Sequence, residues 1–182
     1  MRWIYRAGLG LVAALASVAI VLTGASSSAA PSHARTGPLA SRAVAAMGPK
    51  MRAEIKLYTS MRQLWSQHME WTYSTVDAFF HNPKALQPTL NRLLQNQRDI
   101  GAAIVPFYGK TAGHRLTRLL LTHIEDAVPV LKAAKSGNSA GLNKAVKAWY
   151  ANADQIAEFL SAANPKSWPL SATRPMMREH IT

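Results

Sequence analysis

The sequence predicts an all-α protein, an up-and-down bundle of four or five helices, and three observations carry that reading. Apolar residues recur at three- and four-residue spacings through most of the chain after residue 49. No stretch shows the two-residue alternation of a half-buried strand. The periodic segments are also punctuated by short groups of turn residues: Asn82-Pro83, Pro106-Phe107-Tyr108-Gly109, Ser136-Gly137-Asn138 and Asn164-Pro165. The centre of the pattern is Leu90 to Ala134. There Leu93, Leu94, Gln97, Ile100 and Ile104 form one apolar face, and Leu116, Leu119, Leu120, His123, Ala127 and Val130 form a second. A Pro/Gly turn between two such faces predicts an antiparallel helical hairpin.

Taken in order, residues 1–30 have the layout of a targeting segment. Arg2 and Arg6 precede an uncharged apolar run over 7–24, and Ala25-Ser26-Ser27-Ser28-Ala29-Ala30 follows. A basic end, an apolar core and a small-residue exit describe a signal peptide, and the same run, if left uncleaved, describes an N-terminal membrane anchor. Both readings put the body in an extracytoplasmic location, secreted or anchored to the cytoplasmic membrane by residues 7–24. Residues 31–48, rich in Ser, Ala, Gly and Pro, read as a flexible tether, and residues 49–182 as the helical bundle domain.

Within that domain Pro49 opens a helix to about Phe80, whose apolar arc includes Met61, Leu64, Trp65, His68, Thr72 and Val76. Asn82-Pro83 reads as a cap and first-turn proline, and Pro88 is expected to close that piece before the next long helix. The second long helix is expected to stop or kink at Pro106, and the third to bend at Pro129. Asn138 or Ser139 caps a fourth helix with Leu142, Trp149, Ala153, Ile156 and Leu160 on its face. A last helix is expected from about Thr173 onward.

The chain has 182 residues, no cysteine, and a net charge of +12. Disulfides, thiolate nucleophiles, thiolate metal sites and covalent haem attachment are thereby excluded, and packing alone must hold the fold. The basic balance predicts anionic lipid headgroups or anionic cell-wall polymers as partners. Nucleic acid is not expected, because the targeting segment argues against that compartment and no recognition motif accompanies the charge. The aromatic residues Trp65, Trp71 and Tyr73 leave room for a carbohydrate or peptide ligand.

Three blocks carry a family resemblance: Arg92 through Gly101, Pro106-Phe107-Tyr108-Gly109, and Asn152-Ala153-Asp154 leading to Asn164-Pro165. Together they resemble a functionally unassigned family of small bacterial all-helical proteins, over roughly residues 65–180. Some members of that family carry an automatic glycosyltransferase label. The resemblance implies an all-helical fold and brings no catalytic residues. A transferase acting on envelope carbohydrate is the activity such a label implies, but a nucleotide-sugar enzyme is normally built on an α/β sheet, for which there is no strand signal.

The strongest candidates for chemistry are His68, His123 and His180, each on the apolar face of a different helix. A buried imidazole needs partners for its nitrogens, and one divalent transition metal (zinc, copper or iron) would supply them, with Asp126 as a fourth ligand. The alternative is that each ring bonds a backbone carbonyl or an amide and no cofactor is bound. Gln97 reads as a buried hydrogen-bond organiser or a polar ligand contact, and the Asp154/Glu158 pair as a solvated face. Serine nucleophile motifs and the Glu-x-x-His pairs of di-iron bundles are both missing. The sequence therefore describes an exported, basic helical bundle, a non-catalytic binding or structural module of the envelope rather than an enzyme. Metal binding or metal-dependent catalysis is the alternative.

Overall fold

The computed structural model describes residues 47–181, and the architecture is the all-α up-and-down bundle expected. Four helices follow one another: α1 (Pro49–His81), α2 (Pro83–Lys135), α3 (Ser139–Ala163) and α4 (Leu170–Glu179). The targeting run and all but the last two residues of the tether lie outside the described residues. Among the described residues no helix is long and apolar enough to cross a membrane. The expectation of a membrane-anchored protein is corrected on that finding; the run over 7–24 on which it rested lies outside the described residues.

Helix α2 is broken once, at Gly109, whose backbone (φ 83, ψ 166) departs from the helix and turns the chain back on itself. The break falls three residues later than the expected stop at Pro106. A proline forfeits one N–H bond and crowds the preceding turn, whereas a positive φ redirects the whole chain, and glycine adopts it without a Cβ clash. Pro88 likewise closes nothing off, Pro129 sits inside the helix as expected, and Gly109 is the one residue of α2 with non-helical backbone. Around Pro88, the Thr89 hydroxyl donates to the carbonyls of Ala85 at 2.9 Å and Leu86 at 3.0 Å.

The two arms of α2, residues 83–108 and 110–135, pack backbone to backbone where Gly101 meets Gly113. A Cβ on either glycine would lie 2.8 Å from the other's carbonyl oxygen, and one on Gly101 would also overlap the Thr117 hydroxyl. The hairpin of the central stretch is therefore real, and it is closed by two missing side chains.

The ends of the elements follow from their local sequences. Asn82 separates α1 from α2 with an extended backbone, and Pro83 starts α2 as expected. The second arm ends in a Schellman motif: Gly137 sits at φ 68, Asn138 N–H donates to Ala133 O at 2.9 Å, and Gly137 N–H to Ala134 O at 3.2 Å. Asn138 then caps α3, its Oδ1 accepting from Gly141 N–H at 2.9 Å. Helix α4 opens earlier than expected, at Leu170 directly after Pro169, whose carbonyl accepts from the Thr173 hydroxyl at 3.0 Å.

Helix α1 runs antiparallel to the first arm, and α3 antiparallel to the second, while α4 lies along α3. Their shared core includes Met61 and Trp65 of α1, Ile100 and Ile104 of the first arm, and Leu116 and Leu120 of the second. Ile156, Phe159 and Leu160 of α3 join it, and Trp168 and Met177 close it from the α3–α4 connection and α4.

Candidate functional site

The three histidines named by the sequence are brought together by this topology. His123 projects from the second arm and is buried. Its ring lies 5.1 Å from that of His180, nearly parallel at 24°, and 5.3 Å from Trp149. His68, on α1, packs edge-on against Trp65 at 5.3 Å; His180 acts on its protonation, and it acts in turn on that of His123.

Each ring also has a protein partner for its Nδ1. His123 donates to Asn152 Oδ1 at 2.8 Å, an assignment consistent with the Asn152 amide nitrogen donating to Leu119 O at 3.1 Å. His180 donates to Met177 O at 2.7 Å. His68 faces the amide nitrogen of Gln97 at 3.1 Å. That nitrogen also has Leu93 O at 2.9 Å and Asn96 Oδ1 at 3.2 Å within reach, so two hydrogens serve three acceptors. Gln97 is fully buried and organises this network, while Asn96 turns its amide toward Leu64 O of α1 at 2.9 Å.

Burial makes the charged imidazole costly, and no carboxylate is among the groups that act on these rings. Burial holds His68 down to about 4, with His180 adding to the effect and the Gln97 bond opposing it. His123 is held down to about 3 by burial and then by His180 and His68, against the Asn152 bond. His180 is lowered too, again chiefly by burial. The cluster is thus neutral at physiological pH, as a ligand set would require.

Convergence on a single ion is a stricter condition. Among the described residues no group of three or more His, Cys, Asp or Glu side chains is disposed to hold a metal ion. Asp126 is half-buried, and its carboxyl is pushed up by burial and by neighbouring Glu125. What the arrangement does visibly is join helices: α1 to the first arm through Asn96 and Gln97, the second arm to α3 through His123 and Asn152, and α4 to the second arm through the His123–His180 stack.

Asn152 is the partner the sequence reading passed over. Its signal was available, since it lies one turn after Trp149 and one before Ile156 on the apolar face of α3. The Asp154/Glu158 pair is also more than a solvated face. Arg178 forks onto Asp154 with bonds of 2.7 and 2.5 Å, and Arg174 reaches Glu158 at 2.7 Å. These contacts fasten α4 to α3, and the Arg178 bonds hold the Asp154 carboxyl below its usual range.

A second arrangement emerges only from the topology. The Asn96–Leu64 bond sets α1 level with the first arm, and about 22 Å back along α1, at about 1.5 Å per residue, Pro49 comes level with the Gly109 turn. From the Asn152–Leu119 bond, the same reckoning brings Ala163 of α3 level with Tyr108. One end of the bundle therefore gathers Lys50, Lys56, Lys110, Arg115 and Lys166, all exposed. Against them stands Glu54. Glu70, Asp77, Glu125 and Asp126 lie in the other half, Asp99 pairs with Arg92, Asp154 and Glu158 are engaged with α4, and Glu179 ends that helix.

The geometry defines a helical bundle with a hydrogen-bonded polar interior and exposed basic side chains at both ends, Lys84, Lys132, Lys135 and Lys144 standing at the other. Comparison with family models, curated proteins and solved structures finds no match to this chain. No residue role enters from a relative, and the reading of function rests on the chain itself.

Proposed function

We propose that this protein is a non-catalytic binding module, exported to the cell envelope, whose ligand is an anionic polymer. The observation that carries the reading is the excess of exposed basic side chains at the ends of the bundle, Lys50, Lys56, Lys110 and Lys166 at one and Lys84, Lys132, Lys135 and Lys144 at the other. Like charges held together by a rigid scaffold repel one another, and a polyanion relieves that repulsion while releasing counterions. The layout of residues 1–30 supports export to a compartment in which anionic wall polymers are abundant. The interior supports a scaffold role over a catalytic one, because Asn96, Gln97, His123 and Asn152 each bond across from one helix to another.

Titration calorimetry of the protein with an anionic polysaccharide tests this reading. Saturable binding that weakens as salt is raised is expected, because screening acts on exposed charges. Heat that never saturates, or binding indifferent to salt, would count against it.

A further inference from the structure

His123 and His180 share a feature that their role in joining helices does not use. The proton of each neutral ring is fixed on Nδ1: His123 donates it to Asn152 Oδ1 at 2.8 Å, and His180 to the Met177 carbonyl at 2.7 Å. A neutral imidazole protonated on one nitrogen carries a lone pair on the other. Both Nε2 atoms are therefore acceptors, and among the described residues the hydrogen bonds of the two rings run through Nδ1 alone. Two buried acceptors on adjacent rings need an electron-poor partner. An oxygen behind Nδ1 is also what orients a metal-ligating histidine and makes its other nitrogen more basic.

The spacing of the rings selects the kind of partner. A zinc–nitrogen bond of about 2.0–2.1 Å puts the ion about 3.2 Å from the ring centre, so two rings on one tetrahedral ion have centres about 5.2 Å apart. A right-angled pair, as in square-planar coordination, would bring the centres to about 4.5 Å, and a linear pair would part them to about 6.4 Å. The observed separation is 5.1 Å. The position of His123 is held from a second side, since Trp149 packs on its ring at 5.3 Å and donates from Nε1 to its carbonyl at 2.9 Å. His180 is the C-cap of α4, and the carbonyls at a helix end carry partial negative charge that favours a cation.

His68 has the opposite tautomer. The Gln97 nitrogen, identified by its bond to Leu93 O at 2.9 Å, faces His68 Nδ1 at 3.1 Å, so the proton of that ring lies on Nε2. This accords with the lack, among the described residues, of a group of three or more side chains able to hold a metal ion. We propose that His123 and His180 bind one zinc ion through the Nε2 atom of each ring, with water or hydroxide in the remaining tetrahedral positions. His180 keeps part of its surface exposed, as a site filled from solvent requires.

The test is calorimetric titration of the metal-stripped, untagged full-length chain with zinc, and with nickel for comparison. A single equivalent of zinc should bind, and nickel, which prefers tetragonal geometry, should bind more weakly. His180→Ala should keep the helical circular dichroism and weaken zinc binding by about tenfold or more, and His123→Asn should do the same. His81→Ala should change nothing, although His81 stands on the surface 3.0 Å from Asp77, where a stray ion would settle. X-ray absorption of the zinc-loaded protein should show two imidazoles in a four-coordinate shell, and it decides the matter if His123→Asn fails to fold.

No stoichiometric zinc, or full binding by a folded His180→Ala variant, overturns the proposal. So does loss of binding in His81→Ala, which moves the ion to the surface, or equal loss in a folded His68→Asn variant, which replaces the pair by a three-histidine site. Binding of an anionic polymer is measured separately, so either reading can fail alone.

Discussion

His123 and Asn152 hold the second arm of α2 and α3 in register through both ends of one amide. The imidazole Nδ1 donates to Asn152 Oδ1 at 2.8 Å, and the Asn152 nitrogen donates to the Leu119 carbonyl at 3.1 Å. A slip of α3 by one residue would break both bonds and leave buried polar atoms without partners. Asn152→Ala should therefore cost about 2–4 kcal/mol, more than the loss of apolar contact alone would give. Urea denaturation checks this, and a change under about 0.5 kcal/mol would mean the bonds carry no net stability.

Acid should destabilise the protein well before its carboxylates titrate. The sign follows from the lowered histidine values: His68 at about 4 and His123 at about 3 when folded, against 6.5 when unfolded. Above 6.5 both states are neutral and stability does not depend on these rings. As pH falls below 6.5 the unfolded chain takes up protons that the folded one refuses, so stability declines until the folded values are reached. At pH 5 each ring should have removed about 2 kcal/mol, with His180 adding in the same direction. Melting temperatures measured from pH 7.5 to 4.5 should fall steadily, and His123→Asn should flatten the slope. A flat profile down to pH 5 would show that the rings are not held neutral.

The glycines of α2 should respond to substitution in two different ways. Gly101→Ala drives a methyl into the Thr117 hydroxyl and the Gly113 carbonyl, so it should cost about 3 kcal/mol or part the two arms. Gly109→Ala meets nothing within 4 Å, but φ 83 with ψ 166 is backbone that essentially only glycine adopts, so it should cost about 1–3 kcal/mol. Thermal denaturation of both variants gives the order. A cost under about 1 kcal/mol for Gly101→Ala would mean that the arms do not approach as closely as described.

Trp65→Ala should cost about 3–5 kcal/mol, since Trp65 is buried where α1 meets the bundle core. Asp154→Ala should cost less, about 0.5–1 kcal/mol, the value of a well-formed but partly exposed fork with Arg178. A double-mutant cycle with Arg178→Ala isolates the pair, and an interaction near zero would leave α4 held by apolar contacts and the histidine stack.

Periodicity made the bundle legible, down to α1 beginning at Pro49 and the hairpin within Leu90–Ala134. Proline was the misleading sign. At Pro88 and Pro106 one missing hydrogen bond is outweighed by helix continuing on both sides. Glycine carried the information instead, because a positive φ at Gly109 and a missing Cβ at Gly101 and Gly113 determine where the chain turns and how closely it returns.

The candidate sites were legible to different depths. His68, His123 and His180 stood out individually, since an imidazole on an apolar face needs an explanation. Their separation and the role of Asn152 depend on helix register, which a single helical face does not specify. The basic end beside the Gly109 turn is composed from segments as distant as Lys50, Lys110 and Lys166, and only the antiparallel alignment places them side by side.

Each helix of the bundle packs chiefly on the one that follows it in the chain. This has a kinetic meaning. Most native contacts can form between neighbouring segments without first closing a long loop, so the search is short and folding in milliseconds or faster is expected for about this size and topology. The α2 hairpin is the natural place for it to start, with α1 and α3 adding to its two flanks. Helix α4, attached chiefly through α3, would dock at the end, and its amides should be among the first to exchange with solvent.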